Sequence, residues 1–542
     1  MKLYFIGADH EVTGSLHYLH AAGLKIMIDC GMQQGIKHYE NAPMPVKYSD
    51  IDYILLTHAH IDHSGMIPYA YKNGFNGTVV TTRATEDLVN IMLRDSAHIQ
   101  MQETEYKNRK GQRAGADRVA PIYDLNDVNG VLEHFRGVDY NEVVELGDGV
   151  KIRFIDAGHL LGSASIEVLI NENGISKKIV FSGDLGNFDK PLIRDPQYIH
   201  DADYVVMEST YGDRFHDKSV NHIDDLVKIT QRTLDRGGNV VMPAFAVGRT
   251  QELLYLFRQI KQDKLVTGHG DFPVYVDSPL AVEATHVFTQ NLSDCYDDAT
   301  RELVMKGINP ISFKGLNLLI TSEESRYINY DETPKVIISA SGMCDAGRIR
   351  HHIKYNLWRP ESTIVFAGYQ AEGTLGRVLV DGAKTVRIFG EEIVVRAEIA
   401  QMAAMSSHAD QDGLIDWISA YDLNRPDRVF LVHGDDDAMK TLASLIFEKL
   451  GYKVDCPYSG SVFNLANGKW EFEGQPVRVV KEAEYSSSGI PGRRKISDAA
   501  YDRLMSAYNK LLTAVRANYG GTNKDLAKFT DQILNLYDKW MR

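Results

Sequence analysis

The sequence of 542 residues has only four cysteines, and none of them forms a motif with another. Cys30, Cys295, Cys344 and Cys456 lie far apart and form no C-x-x-C pair, so neither a disulfide framework nor a thiolate zinc site is suggested. No apolar run reaches membrane-spanning length, and the N-terminus, Met1-Lys2-Leu3-Tyr4-Phe5-Ile6, reads as a strand and not a signal peptide. A reducing cytoplasm is the expected location. The 16 prolines are scattered and no low-complexity tract occurs, so fibrous and disordered classes drop out. Positive charge is also short. A formal charge of −14 makes the average surface repel a polyanion, so any nucleic-acid partner requires cations gathered locally. What remains is an ordinary globular composition, 44% hydrophobic and 24% charged, at a length that implies two to four domains.

Several short apolar runs end in residues suited to metal or proton chemistry. Ile51–Leu56 runs into Thr57-His58-Ala59-His60-Ile61-Asp62-His63, and Lys151–Ile155 into Asp156-Ala157-Gly158-His159. Lys178–Phe181 leads to Asp184, Tyr204–Met207 delivers Glu208, and Val429–Val432 delivers His433. Strand runs separated by helical patterns indicate layered α and β structure, and strands that end at one edge would bring these side chains to one site. In an extended turn His58 and His60 can point the same way and serve one metal, while Asp62 and His63 serve a second. Imidazole and carboxylate suit zinc, and a set without cysteine suits a catalytic ion with an open position. Asp184 has two oxygens with which to bridge two ions. A lone histidine is usually a core or surface residue, so His17, His20, His98, His222, His351 and His352 receive no role. Four ligand-type residues in six positions directly after an apolar strand are a different matter.

On these residues the chain resembles the metallo-β-lactamase superfamily over about residues 1–208 and 382–465. Asp29, His58 to His63, His159 and Asp184 follow that superfamily's first four motifs in order. The resemblance implies an αβ/βα sandwich holding two Zn²⁺ per chain. His58, His60 and His159 would hold the first ion, and Asp62, His63 and His433 the second, with Asp184 between them. Asp29 would orient a ligand histidine. Residues 209–381 resemble the β-CASP insertion of nucleic-acid-processing members. The similar segments are Glu208-Ser-Thr-Tyr-Gly212, Pro243-Ala-Phe-Ala-Val-Gly-Arg249, Val276-Asp-Ser-Pro-Leu-Ala281, Ser341-Gly-Met-Cys-Asp-Ala-Gly-Arg348 and Gly368-Tyr-Gln-Ala-Glu-Gly-Thr-Leu-Gly-Arg377. Ser407-His408-Ala409-Asp410 and Val432-His433-Gly434 follow them, so Glu208, His408 and His433 correspond to the family's motifs A, B and C.

Within the insertion Asn239–Met242, Val274–Val276, Lys335–Ile338 and Thr363–Phe366 read as buried strands, and Thr250–Lys261 as a helix, an α/β layer placed as a lid. Three glycine-rich loops carry Arg249, Arg348 and Arg377. Glycine lets the backbone approach a phosphate, and guanidinium grips two phosphate oxygens, so these arginines, with Ser341, Gln370 and Thr374, are the candidate substrate contacts. They would supply the local cations that the acidic average demands.

The implied reaction is metal-assisted hydrolysis of RNA phosphodiester bonds, leaving 3′-hydroxyl and 5′-phosphate ends. His408 would protonate the leaving oxygen, Glu208 would keep His408 cationic, and Asp62 and Asp29 complete the catalytic set. Histidine at position 433 matches the RNA-acting members, where the DNA-repair branch typically has valine. His-Ala-His-Ile-Asp-His is similar to the cleavage-and-polyadenylation endonuclease and its short bacterial relatives. Single-stranded RNA and endonuclease action are therefore expected, with a 5′→3′ exonuclease mode left open. The alternatives are a DNA nuclease of the same family and a small-molecule thioester or lactone hydrolase, which would not need the insertion.

Residues 466–542 form a C-terminal extension outside the catalytic resemblance. Tyr501, Leu504, Met505, Tyr508, Leu511, Leu512 and Val515 make one amphipathic stripe. Leu526, Phe529, Ile533, Leu534, Tyr537 and Trp540 make another after Gly520-Gly521, so a helical hairpin is expected. From Tyr485 onward there are ten Lys/Arg against five Asp/Glu. The hairpin either packs on the catalytic body or pairs with a second copy in a homodimer.

Overall fold

Every residue of the strand Tyr204–Glu208 is buried, but alternate residues enter different cores. Tyr204 and Val206 lie in a core built from two sheets, whereas Val205 and Met207 lie in a second core under helices. The period-2 alternation of a strand thus serves two apolar faces at once, as expected for a central strand of a layered α/β sandwich.

In the computed structural model, residues 1–479 are described apart from 36, 113–114, 116, 218–220, 292–294 and 403–404, together with 511, 515 and 523–540. Two sheets face each other. The first has eight strands in the order Lys469–Phe472, Val462–Asn464, Lys2–Gly7, Leu16–Ala21, Leu24–Ile28, Tyr53–Leu55, Thr78–Thr82 and Phe135–Val138. The second has seven, in the order Val454–Asp455, Arg428–Val432, Tyr204–Glu208, Ile175–Phe181, Ala164–Glu172, Val150–Asp156 and Val143–Gly147. Phe5, Leu19, Ile26 and Ile28 from the first sheet meet Phe154, Ile166, Phe181 and Phe430 from the second. Helices Gln411–Ser419 and Asp436–Leu450 cover the outer face of the second sheet, and Arg83–Gln112 covers that of the first.

The register explains why ligand residues meet. Ile28 pairs with Leu55 in parallel, so Asp29 and the segment from His58 leave the first sheet at one edge. In the second sheet Phe181 pairs with Val206 and Glu208 with Val432, also in parallel. Asp184, Glu208 and His433 therefore follow three adjacent strand ends. The strand Val150–Asp156 supplies His159 from the same sheet.

The insertion forms a third, six-stranded parallel sheet: Leu316–Leu319, Val274–Asp277, Val336–Ser339, Val240–Pro243, Thr363–Phe366 and Glu398–Gln401. Four of these strands are those expected from the sequence, shifted by a residue at most at either end. The outer two are additional, and Glu398–Gln401 lies past residue 381 because it pairs in parallel with Thr363–Phe366. Likewise Lys469–Phe472, past residue 465, pairs with Val462–Asn464 in the first sheet. The helix Arg83–Gln112 packs against Pro279–Gln290 of the insertion, where Asn291 Nδ2 donates to Asp87 Oδ2 at 2.9 Å.

Residues 480–542 form a separate unit. Its described helix, Asn523–Trp540, carries the second apolar stripe, with Leu526, Phe529 and Ile533 half-buried and Leu534 exposed. Except for Leu511 and Val515, the first stripe, Tyr501 to Val515, lies outside the described residues. Among the described residues no helix is long and apolar enough to cross a membrane.

The core between the sheets closes on Phe430, whose ring lies 4.9 Å from Phe463, 5.1 Å from Phe5 and 5.6 Å from Trp470. Phe430→Ala is expected to cost about 3–5 kcal/mol through the cavity it leaves, read from the shift of a urea unfolding curve.

Candidate metal centre

Three imidazoles and a carboxylate meet first. His58 Nε2 faces His60 Nδ1 at 3.1 Å, and His60 Nδ1 faces His159 Nε2 at 3.2 Å. Asp184 Oδ2 stands 3.4 Å from His58 Nε2 and 3.6 Å from His159 Nε2. The second group lies on the other side of Asp184. His63 Nε2 is 3.3 Å from His433 Nε2 and 3.3 Å from Asp184 Oδ1, and His433 Nε2 is 3.6 Å from Asp62 Oδ2. Both groups could hold a metal ion, and they share Asp184 through its two oxygens.

The ring nitrogens that turn away from these clusters are held by the protein. His63 Nδ1 donates to Asp29 Oδ2 at 2.7 Å, and Asp29 also accepts from the Thr57 backbone N–H at 2.8 Å. His159 Nδ1 donates to the Ser407 carbonyl at 3.3 Å, and His433 Nδ1 meets Thr210 Oγ1 at 3.0 Å. Such partners fix the tautomer and aim the other nitrogen at the ion. The backbone is shaped to the same end. Asp29 and His433 both adopt left-handed conformations, φ 58° and 49°, at a cost on the order of 1–3 kcal/mol each. The His433 N–H is fixed by the Ala8 carbonyl at 2.7 Å. At Gly31 any Cβ would lie 1.7 Å from the Asp62 carbonyl oxygen, so the loop bearing Asp62 can pass only over glycine.

The electrostatics suit cation binding. Burial holds His58, His60 and His159 below the usual imidazole range, so each keeps a lone pair free. Burial would raise Asp184, but His433, His63 and His58 outweigh it and keep the carboxylate ionised. Among the described residues Asp184 Oδ1 has no hydrogen-bond partner.

His408 stands beside this centre, its ring centroid 4.5 Å from that of His159. Its Nδ1 lies 3.1 Å from Glu208 Oε2 and 4.0 Å from Asp184 Oδ2, and its side chain is 20% exposed. Burial would lower its pKa, but the Glu208 and Asp184 carboxylates prevail and hold it up to about 9. Glu208 is itself fixed by the Leu185 N–H and by Thr210 Oγ1.

The substrate-contact candidates lie in the insertion and are engaged there. Arg249 Nη1 donates to Glu252 Oε2 at 2.5 Å, Arg348 Nη1 to Asp277 Oδ1 at 2.7 Å, and Arg377 Nε to Asp381 Oδ1 at 2.9 Å. Ser341 Oγ meets Ala346, Gln370 Nε2 donates to the Gly342 carbonyl, and Thr374 Oγ1 donates to the Ala371 carbonyl. Ser341 and Thr374 thus shape their own loops, Gln370 ties its loop to that of Gly342, and each arginine already has a carboxylate partner.

Two residues at the site carried no signal in the sequence. Lys190 Nζ donates to the His159 carbonyl at 2.9 Å and to the Ser407 carbonyl at 3.4 Å, bracing a metal-site loop against the loop that bears His408. His216 Nε2 donates to the His408 carbonyl at 3.0 Å. Neither belongs to a ligand-type cluster or follows a strand end, so only the folded contacts reveal them.

Residues 18–185 match the model of the metallo-beta-lactamase superfamily domain, 250–379 that of the Beta-Casp domain, and 392–457 that of the Zn-dependent metallo-hydrolase RNA specificity domain. The chain is similar to "Ribonuclease TTHA0252" of Thermus thermophilus, 36% identical over 449 residues that cover 82% of this chain and 96% of that protein. It is 32% identical to "Transcription termination factor FttA" of Pyrococcus abyssi over 84% of this chain and 70% of that protein. It is 28% identical to the "RNase J-like protein" of Methanocaldococcus jannaschii over 85% and 99%.

Two substitutions test this geometry. Gly31→Ala should displace Asp62 and lower divalent-metal affinity about 10–100-fold, measured by competition with a chromophoric chelator. Lys190→Met leaves two facing carbonyls without their shared donor. It should slow turnover about 10²-fold through misplacement of His408, read from steady-state kinetics at unchanged metal content.

Proposed function

The chain belongs to the β-CASP family of metallo-β-lactamase-fold ribonucleases, enzymes that hydrolyse RNA phosphodiester bonds, and from that premise we propose a two-zinc endoribonuclease with His408 as general acid. The observation that carries this reading is the pair of clusters sharing Asp184, with the Glu208–His408 pair alongside. The donor sets fit zinc. Tetrahedral Zn–N bonds of about 2.0–2.1 Å place neighbouring ligand atoms about 3.3 Å apart. The nitrogens face one another at 3.1, 3.2 and 3.3 Å. His58, His60, His159 and Asp184 would hold one ion, and Asp62, His63, His433 and Asp184 the other. Bound ions of this kind supply Lewis acidity, polarising a phosphoryl oxygen and making water nucleophilic near neutral pH.

The chain's own groups do the rest. Glu208 accepts from His408 Nδ1 and so keeps the imidazolium, leaving Nε2–H to protonate the departing 3′-oxygen. Thr210 Oγ1 donates to Glu208 and contacts His433 Nδ1, so the acid pair and the second cluster share one hydroxyl. The products are a 3′-hydroxyl and a 5′-phosphate. The RNA specificity domain match supports RNA over DNA, and cutting within the strand is the preferred mode, with 5′→3′ exonuclease action as the alternative. Arg249, Arg348 and Arg377 would turn from their carboxylate partners to phosphate when RNA enters. The apolar stripe of Asn523–Trp540 supports pairing of two tails in a homodimer, and truncation after Ser488 should then yield a monomer by light scattering.

Elemental analysis of natively purified protein should find about two zinc ions per chain on this reading. Circular single-stranded RNA should be opened, which a purely exonucleolytic enzyme cannot do. His408→Ala should keep its zinc and slow RNA cleavage ~10²–10⁴-fold. It should leave bis(p-nitrophenyl) phosphate turnover close to wild type, because p-nitrophenolate departs without a proton. Equal losses on both substrates would remove His408 from the acid role.

A further inference from the structure

The C-terminal edge of the inserted sheet carries two large aromatic side chains that packing leaves outside. Phe245 is 54% exposed and Tyr369 57%. Phe245 follows the strand Val240–Pro243 and Tyr369 follows Thr363–Phe366, and Val240 pairs with Thr363 in parallel, so both loops leave the sheet at the same edge. Ligands of open parallel sheets bind outside the carboxyl ends of the strands.

The two loops meet at Gly342, beyond the neighbouring strand Val336–Ser339. A Cβ placed on Gly342 would lie 3.3 Å from both Cδ2 and Cε2 of the Phe245 ring, so the ring rests on glycine backbone. The Gly342 carbonyl in turn accepts from Gln370 Nε2 at 3.1 Å, which anchors the residue next to Tyr369. The Phe245 carbonyl accepts both the N–H and the Oγ1–H of Thr250, fixing this loop to the first turn of the helix Arg249–Gln262. An aromatic ring held by its backbone, with glycine behind it and solvent before it, is a rigid open face.

That face belongs to the substrate side. Gly248, three residues beyond Phe245, approaches Leu160, its would-be Cβ 3.2 Å from Leu160 Cδ1, and Leu160 follows the metal-site residue His159. Arg377 lies within electrostatic reach of Tyr369. Exposed aromatics with a nearby guanidinium, on a layer joined to a phosphodiester-cleaving centre, match the way proteins hold single-stranded nucleic acid. Bases stack on the rings without regard to sequence, while cations follow the phosphates.

We propose that Phe245 and Tyr369 form a stacking platform for unpaired nucleobases of the RNA strand whose phosphate lies at the metal centre. The platform rests on the RNA-hydrolase reading above. Such a platform would favour unpaired RNA, since paired bases cannot be splayed onto the rings.

The test is an abasic scan with the zinc-loaded full chain. Single-stranded RNA oligonucleotides, each with one base removed and the phosphate retained, are compared in KM. Wild type should show KM raised on the order of 10-fold at one or two fixed positions from the cut. In Phe245→Leu/Tyr369→Leu the intact RNA should have a similarly raised KM, with no further penalty for the missing base at those positions. Leucine keeps an apolar contact on Gly342, and zinc content verifies the metal centre. In a second readout, 2-aminopurine at a sensitive position should be quenched on binding wild type and not the double variant. A flat scan in wild type overturns the platform, as does full positional sensitivity retained in the variant. If wild type fails to cleave intact RNA, the RNA reading falls and the platform falls with it.

Discussion

The structure depends on one constraint: seven ligand-type side chains, five imidazoles and two carboxylates, bring nitrogens and oxygens within 3.1–3.6 Å of one another at a largely buried site. The lowered imidazoles His58, His60 and His159 oppose lone pair to lone pair unless a cation lies among them, because neutral imidazole cannot donate to neutral imidazole in every pair at once. Two left-handed residues, Asp29 and His433, and a glycine that admits no Cβ, Gly31, hold the geometry despite the repulsion. The sandwich supplies the stiffness for this. Asp29 and the His58 segment come from one sheet, Asp184, Glu208 and His433 from the other, and the aromatic and aliphatic core between them fixes the distance across the centre.

The same centre reconciles an acidic protein with a polyanionic substrate. Asp29, Asp62, Asp184 and Glu208 bring four carboxylates to the centre, and on the proposed reading two divalent ions would balance them, with the raised His408 adding to the positive side. The three loop arginines add little free charge, because Glu252, Asp277 and Asp381 already accompany them. Attraction for phosphate is thus concentrated at the metal edge. Elsewhere on a chain of formal charge −14, contacts that carry no charge, of which base stacking is one, add affinity for RNA without meeting the acidic average.

Much of this was legible in the sequence because the ligands lie at strand ends, and strand ends are what hydrophobic patterning marks best. The runs before His58, Asp184, Glu208 and His433 appear as strands within one to three residues of their expected limits. The residues that escaped notice act through backbone. Lys190 and His216 donate to carbonyls of residues 159, 407 and 408, and no residue type signals which carbonyl it will meet. The outer strands Leu316–Leu319 and Glu398–Gln401 were missed for a related reason. Three of four residues in Leu316–Leu319 are half-buried, and Glu398–Gln401 has only two apolar residues, adjacent and flanked by polar ones, which establish no period. For the loop arginines the sequence conveys composition and glycine spacing, whereas the partner that neutralises Arg348 is Asp277, 71 residues away.

The position of the insertion explains why the acid and the cap occur together. The chain leaves the sandwich just after Glu208 and re-enters it at His408, and these two residues lie 3.1 Å apart. The strand that ends at Glu208, Tyr204–Glu208, and the next strand of that sheet along the chain, Arg428–Val432, are adjacent and parallel, so the insertion lies within what would otherwise be a single crossover. Loop-closure entropy grows only logarithmically with length, so about 200 residues can be accommodated there at a cost little above that of a short loop. The returning segment is then fixed by Ser407, whose carbonyl takes both His159 Nδ1 and Lys190 Nζ. A sandwich without the insertion could hold the metal ligands as well as this one does. It would have no returning segment to place His408 beside Glu208, and so would lack the acid pair that the proposed mechanism uses.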